Sequence, residues 1–131
     1  MTFARFVLVL LAFVYGIVAL AFLTSPGSFA ALVDIALTST TADNDFRAVY
    51  GGVSLGIALF FVASLSRADW FRPALTAGAL IFLCMVGARV LSWALAGFPD
   101  SIAYGLQLVE AAGFILAVVA LRGLPKANPA S

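Results

Sequence analysis

Histidine is absent from this 131-residue chain, and cysteine occurs once. The first absence removes the usual haem ligand, the commonest metal ligand and the commonest general base. No Ser/His/Asp or Cys/His nucleophilic set can form without it. The single cysteine leaves no disulfide framework within one chain. Cys84 stands in the apolar run Phe-Leu-Cys-Met-Val-Gly and reads as a small core residue rather than a nucleophile. Charge is scarce as well: 10% of the residues are charged, against about 25% in an ordinary soluble domain. The net charge is +1, with no basic stripe interleaved with aromatics, so nothing points to nucleic acid. No phosphate-cradling glycine loop and no metal-ligand spacing occur. Neither a cofactor nor a metal is expected.

What is present is apolar. The chain is 64% hydrophobic, with a mean hydropathy of +1.15. A soluble core of this size has no room to hide so much apolar surface, so the bilayer is the solvent. The sequence predicts an all-α fold, an integral membrane four-helix bundle forming one transmembrane domain over 1–131. Its helices are expected at about 5–24, 44–65, 73–96 and 101–121, followed by a frayed polar tail, 123–131. A signal peptide ending near Ser28-Phe29-Ala30 is the rival reading of the first segment. The apolar run from Phe6 to Leu23 is longer than the usual signal core of about 7–15 residues, which favours an uncleaved first helix.

The connections carry the polarity. Arg5, Arg67, Arg72, Arg122 and Lys126 flank the N-terminus, the second connection and the C-terminus. Asp34, Asp43, Asp45 and Asp100 fall in the first and third connections. By the positive-inside rule both termini are expected in the cytoplasm. Trp70 and Phe71 suit the inner interface; Trp93, Phe98 and Tyr104 suit the outer one. The first outer connection opens with Ser25-Pro26, a cap followed by proline at the first helical position. Phe29, Leu32, Val33, Ala36 and Leu37 then keep helical spacing, so a short amphipathic helix is expected over 26–38. Thr-Ser-Thr-Thr-Ala-Asp-Asn-Asp reads as a loop that caps the second span. Phe98-Pro99-Asp100-Ser101 reads as a tight turn, with Asp100 or Ser101 capping the fourth. The shared Val-Tyr-Gly at residues 14–16 and 49–51 is better explained by chance than by duplication.

Two charges lie inside spans. Arg89 is expected roughly 12 Å below the outer end of the third helix, and Glu110 roughly 13 Å below that of the fourth, at about 1.5 Å per residue. Each alone would cost on the order of 2.5–3.5 kcal/mol near the membrane centre. The matched depths predict an ion pair or a shared hydrogen-bond network. Arg47 opens the second span, Tyr50 lies one turn deeper, and Gln107 lies one turn above Glu110. Together Arg47, Tyr50, Arg89, Gln107 and Glu110 are expected to line one polar cavity in the outer half. Gly51, Gly52 and Gly56, the last two at GxxxG spacing, are expected to let helix backbones approach there. Each feature has a plainer reading: a structural clasp for the charge pair, an interfacial snorkel for Arg47, packing for Tyr50, and a helix–helix hydrogen bond for Gln107.

The order of these motifs resembles a known family. Arg47, Tyr50, Gly51 and Gly52 at the entrance of the second span, Gly87 and Arg89 in the third, Gly97 and Pro99 in the turn, and Glu110 in the fourth are similar to the bacterial four-helix membrane proteins grouped as domain of unknown function 4345. The resemblance covers about residues 5–122. It implies a small four-span protein of the bacterial cytoplasmic membrane and supplies no reaction.

The leading functional expectation is a non-enzymatic protein with an outward-facing pocket for a small anionic or polar-headed amphiphile, such as a lipid or isoprenoid head group. Arg47 and Arg89 would bind the negative group, Tyr50 and Gln107 would orient it, and Glu110 would hold Arg89. Membrane lipid is the expected partner. The alternatives are an oligomeric small-solute transporter, an accessory subunit of a membrane complex, and a lipid enzyme working through Glu110.

Overall fold

The computed structural model describes residues 1–99 and 101–125, with only the backbone described at Ser101. Helix α1 covers Thr2–Thr24, a short α2 covers Pro26–Ala31, and α3 covers Thr40–Phe46. The last runs on through a π-helical segment, Arg47–Gly52, into α4, Val53–Ser64. A 3-10 turn at Ala68–Trp70 leads into α5, Phe71–Ala96, and α6 covers Ser101–Arg122. Four stretches are long and apolar enough to cross a membrane: Thr2–Thr24, Thr40–Ser64, Ala68–Ala96 and Ile102–Arg122. The all-α, four-span architecture is the one the sequence predicts, and no strand occurs among the described residues.

One end of the bundle, the proximal end, gathers the start of α1, the end of α4, the start of α5 and the end of α6. Two arginines tie it together. Arg5 Nη2 donates to the Leu65 carbonyl at 3.5 Å, and Arg72 Nη2 donates to the Pro125 carbonyl at 2.8 Å. The opposite, distal end carries α2 and the turn at Gly97–Pro99.

The core sits towards the proximal end. On α1, Ala4, Val7, Leu8, Leu11, Ala12 and Tyr15 recur at helical spacing and pack with Ala58 and Phe61 of α4 and Phe71, Ala74, Leu75 and Phe82 of α5. Beyond Phe82 no residue of α5 is buried. In the distal half, α5 and α6 meet along one stripe each: Val86, Arg89 and Trp93 against Ala103, Gln107 and Glu110. The remaining faces are uncovered. A Cβ added at Gly87 or Gly105 would meet only open space, and Leu95 and Phe98 are 79% and 81% exposed. The α1–α4 and α5–α6 pairs are thus joined through the proximal half, and their distal halves lack a shared core.

Several boundaries differ from the sequence reading. The second span begins at Thr40, four residues before the expected start at Asn44, because Ser39 Oγ accepts the Ala42 N–H at 3.1 Å and caps the helix. Helix α5 begins at Phe71, which leaves Pro73 in the first turn, where its missing N–H costs nothing. Phe71 is core rather than interface: it is buried, with the Arg5 guanidinium 5.9 Å from its ring centre. Cys84 is exposed on the outside of the bundle, not a core residue. The amphipathic helix expected over 26–38 stops at Ala31. Asp34 takes φ 59°, and the N–H groups of Asp34 and Ile35 close onto the carbonyls of Ala31 and Ala30 at 3.2 and 3.1 Å. This is a Schellman closure with aspartate where glycine is usual. The expected cap Asp100, and the tail beyond Pro125, lie outside the described residues.

Candidate functional site

Arg89 projects from α5 and Glu110 from α6, and they meet as the depth argument requires. Arg89 Nε donates to Glu110 Oε2 at 2.6 Å and Nη2 donates to Oε1 at 2.7 Å. Both bonds are charge-assisted and the pairing is bidentate, the strong form of this contact. The partners are unequally buried: the Glu110 side chain is 6% exposed, that of Arg89 31%. A guanidinium carries five N–H donors. Glu110 engages two of the nitrogens, and Nη1 has no hydrogen-bond partner among the described residues.

That free edge belongs to a side chain lining two adjoining cavities at the distal end. One, of about 350 Å³, is lined by Val33, Asp34, Arg89, Pro99, Ile102, Ala103 and Leu106. The other, of about 260 Å³, is bounded by Arg89, Ser92, Trp93, Phe98 and Pro99 among others. Trp93 lies at its wall, with its ring centre 5.4 Å from that of Tyr104 and 6.1 Å from that of Phe98. Larger cavities lie at the proximal end, around Arg72 and Leu124; the two smaller distal cavities are the ones that adjoin the ion pair, through Arg89.

Gln107 sits one turn before Glu110 on the face towards α5. Its Oε1 is buried and has no hydrogen-bond partner among the described residues. A buried acceptor left unmade costs about 1–3 kcal/mol, and Gln107 is not among the residues that line either distal cavity.

The other two sequence candidates lie elsewhere. Arg47 Nε donates to the Leu23 carbonyl at 3.3 Å, and Nη1 approaches the Asp43 carboxylate at 4.0 Å. It therefore caps the C-terminal end of α1, where unpaired carbonyls favour a cation. Tyr50 stacks on Phe46 at 4.7 Å and on Phe22 at 5.1 Å. Both residues face α1 and not the Arg89 cavities. The glycines divide in the same way. A Cβ at Gly51 would lie 2.9 Å from the Leu23 side chain and 3.1 Å from its backbone nitrogen, so Gly51 does permit close approach. Gly52 and Gly56 are exposed, and a Cβ at Gly56 meets nothing within 4 Å. The expected GxxxG contact is not made within this chain. At Gly113 on α6 a Cβ would fall 2.7 Å from the Phe82 ring, and it is this glycine that lets α6 close on α5.

Two residues near the site escaped the sequence reading. Tyr15 is buried between Phe61 and Phe82, and its hydroxyl has only the weak acceptor Met85 Sδ, at 3.9 Å, one turn from Arg89. Its place on the buried stripe of α1, after Ala4, Leu8 and Leu11, was the available signal. Asp34 joins the larger distal cavity because the chain reverses at the end of α2. An acid inside the apolar run Leu-Val-Asp-Ile-Ala-Leu was the only hint.

Among the described residues no group of histidine, cysteine, aspartate and glutamate is arranged to hold a metal ion. No curated protein and no solved structure matches the chain. The family described as a domain of unknown function (DUF4345) matches residues 3–121. The motifs that frame the Arg89–Glu110 pair lie inside that stretch, and the chain belongs to this family.

Proposed function

We propose that this protein is a non-enzymatic component of the bacterial cytoplasmic membrane that holds a polar-headed amphiphile against Arg89. In this reading both termini are cytoplasmic and the distal end faces outward, as the arginines at the proximal end favour. One observation carries the reading. Glu110 is buried, yet its partner Arg89 is 31% exposed, lines a cavity of about 350 Å³ and keeps Nη1 without a hydrogen-bond partner among the described residues. The uncovered distal faces of α5 and α6 provide an apolar surface beside it for acyl or prenyl chains.

With Arg47 engaged at the end of α1, the site has one arginine rather than two. A polar or internally balanced head suits it better than a strongly anionic one. The test is lipid-dependent thermal stabilisation of delipidated protein. A ligand at about 100 times its dissociation constant adds about 2.7 kcal/mol to the native state. Added lipid should raise the melting temperature of wild type and leave Arg89→Gln/Glu110→Gln unchanged. An equal rise in both would sink the proposal.

A second reading is an accessory subunit of a membrane complex. It is favoured by the uncovered Gly52 and Gly56, which offer close backbone approach to another helix. A constant partner lost on Gly56→Leu would support it.

A further inference from the structure

We infer that the distal site selects a zwitterionic lipid head, with the phosphate on Arg89 and the ammonium on Asp34; this rests on the amphiphile reading above. Arg89 and Asp34 line the same cavity of about 350 Å³. Yet they form no ion pair, and Asp34 has no ion-pair partner among the described residues. Opposite charges that share a cavity without touching leave room for a ligand that pairs with each. A phosphate linked to an ammonium by a short alkyl chain has that form.

The charge balance agrees. Arg89 is already matched by Glu110, so Asp34 leaves the site with a formal excess of negative charge. A net-anionic head meets that excess. A zwitterion adds no net charge: its ammonium pairs with Asp34 while its phosphate takes the unpaired guanidinium N–H groups. The position of Asp34 adds a second line. It occupies the left-handed position of a helix-ending turn, at φ 59°, a state aspartate tolerates better than most residues, and this turn brings the acid to the wall of the cavity that Arg89 lines. The remaining walls are Val33, Pro99, Ile102, Ala103 and Leu106. They are apolar and continue into the uncovered faces of α5 and α6, which favours a lipid over a free soluble zwitterion.

The test uses the whole protein in detergent, equilibrated with equal amounts of dioleoyl phosphatidylethanolamine and dioleoyl phosphatidylglycerol. Native mass spectrometry then counts which lipid stays bound. Wild type should retain the ethanolamine lipid over the glycerol lipid by about fivefold, the selectivity of one partly exposed ion pair. Asp34→Asn keeps a residue that tolerates this backbone, and Asp34→Gly relaxes it. Both should still carry lipid, with the ratio falling towards one. Wild type that shows no preference, or variants that keep it, would overturn the zwitterion inference while leaving the amphiphile reading intact. Wild type that retains neither lipid would remove the amphiphile reading itself. Excess soluble phosphoethanolamine should leave the bound lipid in place; displacement by it would overturn the lipid as the source.

Discussion

At Arg89 and Glu110 the unequal burial decides how the pair fails. Arg89→Gln strands a carboxylate that is 6% exposed, whereas Glu110→Gln leaves a guanidinium that is already 31% exposed and has a cavity to turn into. Breaking a buried pair from one side costs about 3–5 kcal/mol. Arg89→Gln should approach that range and Glu110→Gln should fall below it, measured as unfolding in one detergent at neutral pH. The reverse order would contradict the burial asymmetry. The glycines give a second contrast. Gly51→Ala drives a methyl against the Leu23 side chain and backbone nitrogen and should destabilise the protein. Gly56→Ala meets open space and should be neutral or gain about 0.5–1 kcal/mol from the lost flexibility of glycine. Melting temperatures of the two variants check this directly. The charge pair was legible in the sequence because its depth argument needs only helix rise and antiparallel neighbours. Which glycine faces which helix was not, because spacing alone does not say where a neighbour lies.

At the scale of elements, the entrance of the second span carries the clearest lesson. Arg47–Gly52 is π-helical, with the Val53 N–H reaching back five residues to the Ala48 carbonyl. Such a turn holds one residue more than α-helical spacing allows and shifts the facing of what precedes it. The sequence reading placed Arg47 and Tyr50 with α-helical geometry, and the structure turns them onto α1 instead. The run Arg-Ala-Val-Tyr-Gly-Gly announces flexibility through its paired glycines but not a π-turn. The short helix after Pro26 shows the same limit: apolar spacing marks which residues seek contact, and the reversal at Asp34 depends on a backbone state that periodicity does not encode. Gly97 ends α5 at φ 88°, ψ −179°, a region essentially reserved for glycine. Gly97→Ala should cost about 1–3 kcal/mol and loosen the α5–α6 hairpin, seen as a lower melting temperature and faster amide exchange near the turn. Unchanged exchange there would contradict the assignment.

Across the whole molecule, stability and the candidate site occupy different halves. The proximal half holds the interlocked core around Leu8, Leu75, Phe61 and Phe71. The distal half holds the charge pair, its cavities and the uncovered helix faces. Leu75→Ala, at a fully buried position, should cost about 2 kcal/mol or more. Leu91→Ala, at a side chain that is 59% exposed, should stay within about 0.5 kcal/mol. Composition and span length made the four-helix membrane architecture legible from the sequence. The division into a packed and an open half was not, because both halves are equally apolar and only the packing separates them. The open half is proposed to hold an amphiphile through Arg89. The most direct test is native mass spectrometry of protein released from lipid nanodiscs, wild type beside Arg89→Gln/Glu110→Gln, which removes both charges and keeps similar polar volume. A bound species of defined mass is expected on wild type and should be lost from the folded double variant. The same mass on both proteins, or none on wild type, would contradict the proposal and leave the pair as a clasp.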